Sequence, residues 1–224
     1  MKNLTLIIPA KNEEYSLPKV LNEINKLECK KYIVLSAFDK KTIHSIKNYK
    51  CNIIKQKNDG YGNAIIEGLK KVNTDYVCIF NADGSFDPKY LQKMYKNAKK
   101  KSFVFASRYI NGGGSDDDSI LTYIGNKIFT FIGIILFKIK ISDILFTFIM
   151  GETAKFKKLK LKNSDFKICV EIPIKIKLNN FKYISIASFE RKRLGGRKKV
   201  NEFYDGFLIL TELLKNYFFK YGKK

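Results

Sequence analysis

Tyr76-Val77-Cys78-Ile79-Phe80-Asn81-Ala82-Asp83-Gly84-Ser85-Phe86-Asp87-Pro88 joins an apolar run to a run of short, oxygen-bearing side chains, glycine and proline. The first five residues read as a buried strand and the remainder as the loop it enters. Residues two apart on an extended backbone point to the same side, so Asn81 and Asp83 can share one divalent cation, which can neutralise the oxygens of a diphosphate. The amide at position 81 lacks a charge, but its oxygen can still ligate or hold a metal-bound water. The competing reading is an Asx-rich turn in which Asn, Asp, Gly and Pro serve backbone geometry alone.

Outward from this segment, strand and helix patterns alternate. Leu4-Thr5-Leu6-Ile7-Ile8-Pro9 reads as a buried first strand, and Ser16-Leu17-Pro18 followed by Val20, Leu21 and Ile24 as a capped helix with proline at its start. Further strands are expected at residues 32–35, 52–54 and 103–106, and helices at 42–49, 62–72 and 88–101. This alternation predicts an α/β fold: a mostly parallel central sheet flanked by helices, with ligands at the carboxyl ends of its strands.

The 224 residues suffice for one domain with a substantial core, and 45% hydrophobic residues with 14% aromatics argue against disorder. Forty-three Lys and Arg against 21 Asp and Glu give a net charge of +22, which favours anionic partners. Nucleic acid is not expected among them, because the basic clusters belong to no recognisable nucleic-acid module. The four cysteines (29, 51, 78 and 169) show no CxxC spacing, and the apolar start ends at Pro9-Ala10-Lys11-Asn12-Glu13, too short for a signal peptide. A reduced, cytoplasmic chain is the expectation. With His44 as its one histidine, the chain has no multi-histidine zinc site.

Asn58-Asp59-Gly60-Tyr61-Gly62-Asn63-Ala64 places glycines before and at the start of a helix. A backbone without Cβ can approach a diphosphate there, and a helix N-terminus can receive it. The alternative is a glycine-lined turn that serves close packing. The segment is not the dinucleotide fingerprint, which follows the first strand of its domain.

Four segments in order, Leu6-Ile7-Ile8-Pro9-Ala10-Lys11-Asn12-Glu13-Glu14, Gly60-Tyr61-Gly62-Asn63-Ala64, Asn81 to Pro88, and Ala106-Ser107-Arg108-Tyr109 followed by Gly112-Gly113-Gly114, resemble inverting family-2 glycosyltransferases. The resemblance is strongest to the dolichol-phosphate mannosyltransferase, or polyprenyl-phosphate glycosyltransferase, branch. Farther on, Asp143 to Phe156 resembles that family's aspartate-to-"SGFR" stretch, and Arg193-Leu194-Gly195-Gly196-Arg197-Lys198-Lys199 its "RxxGxSK" loop. The resemblance implies a GT-A fold over residues 1–202, with a nucleotide-sugar half (1–110), an acceptor half (111–202) and a C-terminal amphipathic helix (203–224).

By the same resemblance the chain is a metal-dependent hexosyltransferase that moves sugar from a nucleoside-diphosphate sugar to a polyprenyl phosphate with inversion. Pro9 and Glu13 line the nucleotide pocket, joined by Asp39, Gly60 and Gly62. Asp83 holds Mg²⁺ or Mn²⁺, with Asn81 and Ser85 at the adjoining ligand positions. Arg108 faces the acceptor phosphate, and Arg193 and Lys199 sit on a loop that closes over donor or acceptor phosphates. Three features depart from the pattern. Ser36-Ala37-Phe38-Asp39 keeps only Asp39 of a paired-aspartate motif, Asn81 replaces the first acid of the metal motif, and Met150-Gly151-Glu152-Thr153 lacks the arginine of "SGFR" while Lys198 replaces the serine of the basic loop. The alternatives are transfer to a glycan or lipid hydroxyl in surface polysaccharide synthesis, or a degenerate nucleotide-sugar-binding scaffold. A phosphate oxyanion needs no general base, whereas a hydroxyl does, and Asp116, Asp117, Asp118 and Asp143 are the acceptor-side carboxylates available.

The apolar segment 128–137, flanked by Lys127 and Lys138, spans about 15 Å as a helix against the roughly 30 Å of a bilayer core. Residues 203–220 are aromatic and aliphatic and end in lysine. The first reads as a helix lying in the interface or packed as a groove wall, against an ordinary core helix, and the second as an interfacial helix or a closing helix packed on the body. The interfacial readings imply a protein held peripherally on the cytoplasmic face of an anionic membrane surface.

Overall fold

The structure is a computed structural model that describes residues 1–195 and 201–221. Nine strands and eight helices follow one another in these residues. They are β1 (Leu4–Pro9), α1 (Leu17–Glu23), β2 (Lys30–Ser36), α2 (Lys40–Ser45), β3 (Asn52–Gln56), α3 (Tyr61–Lys71), β4 (Tyr76–Ile79), α4 (Leu91–Lys101) and β5 (Phe103–Ser107) in the first half. The second half holds β6 (Gly114–Ser115), α5 (Ile120–Phe137), β7 (Ile149–Glu152), α6 (Thr153–Lys158), α7 (Ile168–Leu178), β8 (Tyr183–Ala187), β9 (Phe189–Glu190) and α8 (Glu202–Tyr221).

Seven strands form one sheet in the order β3-β2-β1-β4-β7-β5-β8. All neighbouring pairs run parallel except those made by β7, which is antiparallel to both β4 and β5. The expected mostly parallel sheet flanked by helices is therefore present. Strand β7 went unread because Phe146, Phe148 and Ile149 merge into one apolar run whose direction no local pattern records.

Alternation along β1 divides the core. Leu4, Leu6 and Ile8 face a layer containing Val20 and Leu21 of α1 and Met94 of α4, while Ile7 faces Ala64, Ile65 and Leu69 of α3. Both layers are built of buried apolar side chains, as the near-continuous hydrophobic strands of a doubly covered sheet require. The four cysteines are free thiols.

Helix α5 is longer than its sequence reading. Ser119 accepts a hydrogen bond from the Thr122 amide and so starts the helix two turns earlier, at Ile120. Its 18 residues reach about 27 Å at roughly 1.5 Å per residue, and by length and composition it is one helix able to cross a membrane. Helix α8 packs beside it, with Thr122 donating to Glu202 at 3.2 Å and the Phe137 and Tyr217 rings 6.3 Å apart.

Candidate active site

The carboxyl ends of β1, β2, β3, β4 and β5 and the entry to β7 open into one cleft of about 720 Å³. Pro9, Glu13, Gly60, Asn81, Asp83, Ser85, Arg108 and Arg193 all line it. Asp39 and Gly62 do not, and Lys199 lies outside the described residues.

At the end of β4, the turn reading of the Asn81 segment is realised. Asp83 Oδ1 accepts from the Ser85 amide at 3.0 Å and from the Ser85 hydroxyl at 2.7 Å, which is an Asx turn. Asp83 Oδ2 accepts nothing from the described residues. Asn81 Oδ1 accepts from the Tyr61 hydroxyl at 3.3 Å, and Tyr61 shares a second hydrogen bond with Thr147 at 2.6 Å. Burial pushes the Tyr61 phenol well up, so it stays a donor, and its ring stacks on Phe166 at 5.2 Å.

These oxygens fit a hard divalent ion of the kind held by one or two protein groups and completed by phosphate and water. Three cationic side chains (Lys11, Arg108 and Arg193) and nine carboxylates line the cleft among the described residues, so an anionic diphosphate needs a countercharge there.

Glu13 is buried, its amide donates to the Thr42 hydroxyl at 2.9 Å, and its carboxylate accepts from Ser16. Asp39 instead clasps the β1 loop to α2: Oδ2 accepts from the Asn12 amide at 2.8 Å and Oδ1 from the Thr42 amide at 3.2 Å. The Gly60-Tyr61-Gly62 turn meets protein rather than open space. A Cβ on Gly60 would stand 2.2 Å from the Ser164 carbonyl oxygen, and one on Gly62 would stand 2.1 Å from that of Asn163. The Asn63 amide in the first turn of α3 donates to Ser164 O at 3.0 Å, so the 163–165 loop packs against this helix start.

Arg108 follows β5 directly and is buried. It is bidentate to Asp143, with Nε to Oδ2 at 2.7 Å and Nη2 to Oδ1 at 2.9 Å, while Nη1 donates to Asp118 and to Glu190, each at 3.0 Å. Its donors are thus taken by carboxylates rather than held open. Three acids around one guanidinium leave a buried excess of negative charge. Burial pushes the Asp143 and Glu190 carboxyls above their ordinary range against the pull of Arg108. Tyr109 donates to Asp118 at 2.5 Å. Of the three consecutive aspartates, Asp116 alone is exposed, since Asp117 pairs with Arg193 and Asp118 with Arg108.

Glu190 was missed in the sequence, where it is one acid in a basic run. Oε2 accepts from Arg108 and from the Ser115 hydroxyl at 2.6 Å, and its backbone bridges Phe86 beside the Asp83 turn. The strap that follows lies on that turn. The Arg191 amide donates to Ser85 O at 2.9 Å, the Leu194 amide to Asp83 O at 2.7 Å, and the Leu194 side chain covers Gly84, where a Cβ would stand 2.5 Å from it. The far wall comes from α5 and α8 and is mixed, with Leu121, Phe129, Phe203 and Ile209 beside Thr122, Asn126, Glu202 and Asp205. Cys169 also lines the cleft, its thiol pushed up to about 12 by burial.

Residues 5–160 match the Glycosyl transferase family 2 domain. Among solved structures, glucosyl-3-phosphoglycerate synthase from Mycobacterium tuberculosis, in complex with Mn²⁺, UDP and glucosyl-3-phosphoglycerate, superposes with a TM-score of 0.75. It is 12% identical, over 96% of this chain and 79% of that one. Mannosyl-3-phosphoglycerate synthase from Rubrobacter xylanophilus gives a TM-score of 0.72 at 13% identity, over 99% of this chain and 75% of that one.

Proposed function

From the premise that the chain belongs to glycosyl transferase family 2, we propose that it transfers a sugar from a nucleoside-diphosphate sugar to a polyprenyl phosphate or similar lipid-linked acceptor, with inversion. Residues 1–110 supply the donor side and 111–202 the acceptor side. The observation that carries this reading is the cleft itself, which sets Asp83 and the β1 loop opposite the apolar side chains Leu121, Phe129, Phe203 and Ile209 that α5 and α8 contribute to its lining. The Mn²⁺ and UDP held by the Mycobacterium tuberculosis neighbour support the donor class and a Mg²⁺ or Mn²⁺ cofactor.

Asp83 and Asn81 hold the cation at the donor diphosphate, with Ser85 fixing the Asp83 rotamer. A divalent ion held there would supply positive charge to offset that of a nucleoside-diphosphate leaving group. Pro9, Glu13 and Gly60 shape the nucleotide side, and Arg193, joined by Lys199, supplies positive charge to the phosphates. Arg108 positions Asp118, Asp143 and Glu190 around the acceptor side. An acceptor phosphate is already a nucleophile at neutral pH, so its oxygen attacks without a base. The protein works peripherally on the cytoplasmic face of a membrane, where such an acceptor resides.

A hydroxyl acceptor is the second reading, and Glu190 favours it. A cleft-lining carboxylate whose proton affinity is raised by burial is suited to accept a hydroxyl proton.

The test is a thermal-shift panel of nucleoside diphosphates and their sugars, with and without Mn²⁺, on wild type and Asp83→Asn. A metal-dependent rise in melting temperature that the variant loses supports the donor site. Binding that persists in Asp83→Asn and in EDTA removes the metal assignment. Polyprenyl phosphate, a lipid or glycan hydroxyl and 3-phosphoglycerate, each offered with the donor that binds, separate the acceptor classes. Binding without turnover on any of them marks a scaffold.

A further inference from the structure

The outward positions of α5 recur at helical spacing and, apart from Lys127, are apolar or aromatic. Ile120, Ile124, Ile128, Phe131 and Ile135 stand exposed, Ile120 to 81%. Helix α8 repeats the pattern with Phe203, Phe207, Leu214 and Phe218, Phe203 exposed to 79%. A helix stripe that faces water in a globular protein carries polar and charged side chains. Here the polar groups point inward: Asn126 and Thr130 are buried, and Glu212 accepts from Asn163 at 3.0 Å.

The exposed charges at this face are positive. Helix α5 contains no acid, Lys127 and Lys138 are exposed on it and at its end, and Lys215 is exposed on α8. Apolar stripes edged by lysine match the boundary between acyl chains and anionic headgroups. A second copy would bring lysines against lysines on a chain of net charge +22.

We propose that α5 and α8 form one membrane-contact face, lying along the interface of an anionic leaflet without crossing it. Helix α5 is committed to the body on its inner side, since a Cβ on Gly133 would stand 2.5 Å from the Ile144 side chain. It therefore lies flat with its outer stripe in lipid. Leu121 and Phe203 are both exposed and cleft-lining, so the contact face runs to the rim of the cleft. That continuity, which rests on the lipid-acceptor reading, lets a membrane-borne acceptor reach the site from the leaflet.

The test is flotation of the full chain with vesicles of phosphatidylcholine alone and of phosphatidylcholine with phosphatidylglycerol. Wild type should float with the anionic vesicles and much less with the neutral ones. Ile124→Glu with Phe207→Glu alters two outward side chains away from the cleft. It should cut the bound fraction roughly tenfold or more, with an unchanged melting temperature. Wild type left in solution with both vesicles, or the double variant floating as well as wild type, overturns the proposal. So does a dimer in light scattering that the double variant dissolves while neither protein floats, because a second copy then covers the face. Nucleoside-diphosphate binding measured on the same samples keeps the readings apart. Flotation without it sinks the transferase reading and leaves the membrane face standing, and binding without flotation does the reverse.

Discussion

The Arg193 guanidinium clasps the Asp117 carboxylate through two hydrogen bonds, Nη2 to Oδ2 at 2.5 Å and Nε to Oδ1 at 3.2 Å, inside the cleft that Asp83 also lines. A carboxylate on this edge of the fork occupies the geometry that a phosphate would use. An incoming diphosphate must compete with Asp117 for it. Asp117→Asn should tighten nucleoside-diphosphate binding by roughly threefold to tenfold, the yield of releasing a part-exposed ion pair of about 1 kcal/mol. Calorimetry on wild type, Asp117→Asn, Arg193→Ala and the double variant checks this. The gain should vanish in the Arg193→Ala background, and a loss of affinity in Asp117→Asn alone would mean that the pair holds Arg193 ready instead.

Arg108 ties Asp118, Asp143 and Glu190 from three chain segments to the end of β5. Removing the cation leaves two buried acids, Asp143 and Glu190, and the part-buried Asp118 without their countercharge, a loss of about 3–5 kcal/mol for such clusters. Arg108→Ala should therefore lower unfolding free energy by that order, measured in urea. Arg108→Lys should recover only part, because an ammonium cannot make the bidentate contact with Asp143.

The fold was legible wherever a strand was an apolar run bounded by turn residues, as β1 and β4 are. It was illegible where pairing is set by partners far away, as with β7 between β4 and β5. The site followed the same division. Asn81, Asp83 and Pro9 end parallel strands, so their place in the cleft follows from the strand pattern. Asp39 shows the limit, since one sequence position serves equally well as a ligand contact or as the N-cap of α2, and the structure has the cap. The Arg108 cluster brings residues 108, 118, 143 and 190 together across 82 positions, and no spacing in the chain announces it.

Burial raises the Glu190 carboxyl above its ordinary value of 4.5 despite Arg108. A carboxyl with a raised native pKa holds its proton more tightly folded than unfolded. Its contribution favours the fold below pH 4.5 and is lost as pH climbs through the raised native value. Glu190→Gln removes this titration. The stability of Glu190→Gln relative to wild type should rise as pH increases from below the ordinary carboxylate range towards neutrality, read from urea midpoints across that window. A constant difference would show that Glu190 titrates at its unfolded value.

Gly62 separates a packing role from a ligand role in the turn before α3. Its missing Cβ leaves room for the Asn163 carbonyl, which would otherwise lie 2.1 Å away, and the Ser164 carbonyl carbon is close at 2.9 Å. Both neighbours are backbone, so the clash cannot be relieved by turning a side chain, and overpacking of this kind costs about 1–3 kcal/mol or more. Gly62→Ala should lower stability by at least that amount in urea unfolding. Nucleoside-diphosphate affinity, measured well below the melting temperature, should change far less, because Gly62 does not line the cleft. The opposite result, unchanged stability with binding lost, would return this glycine to the diphosphate.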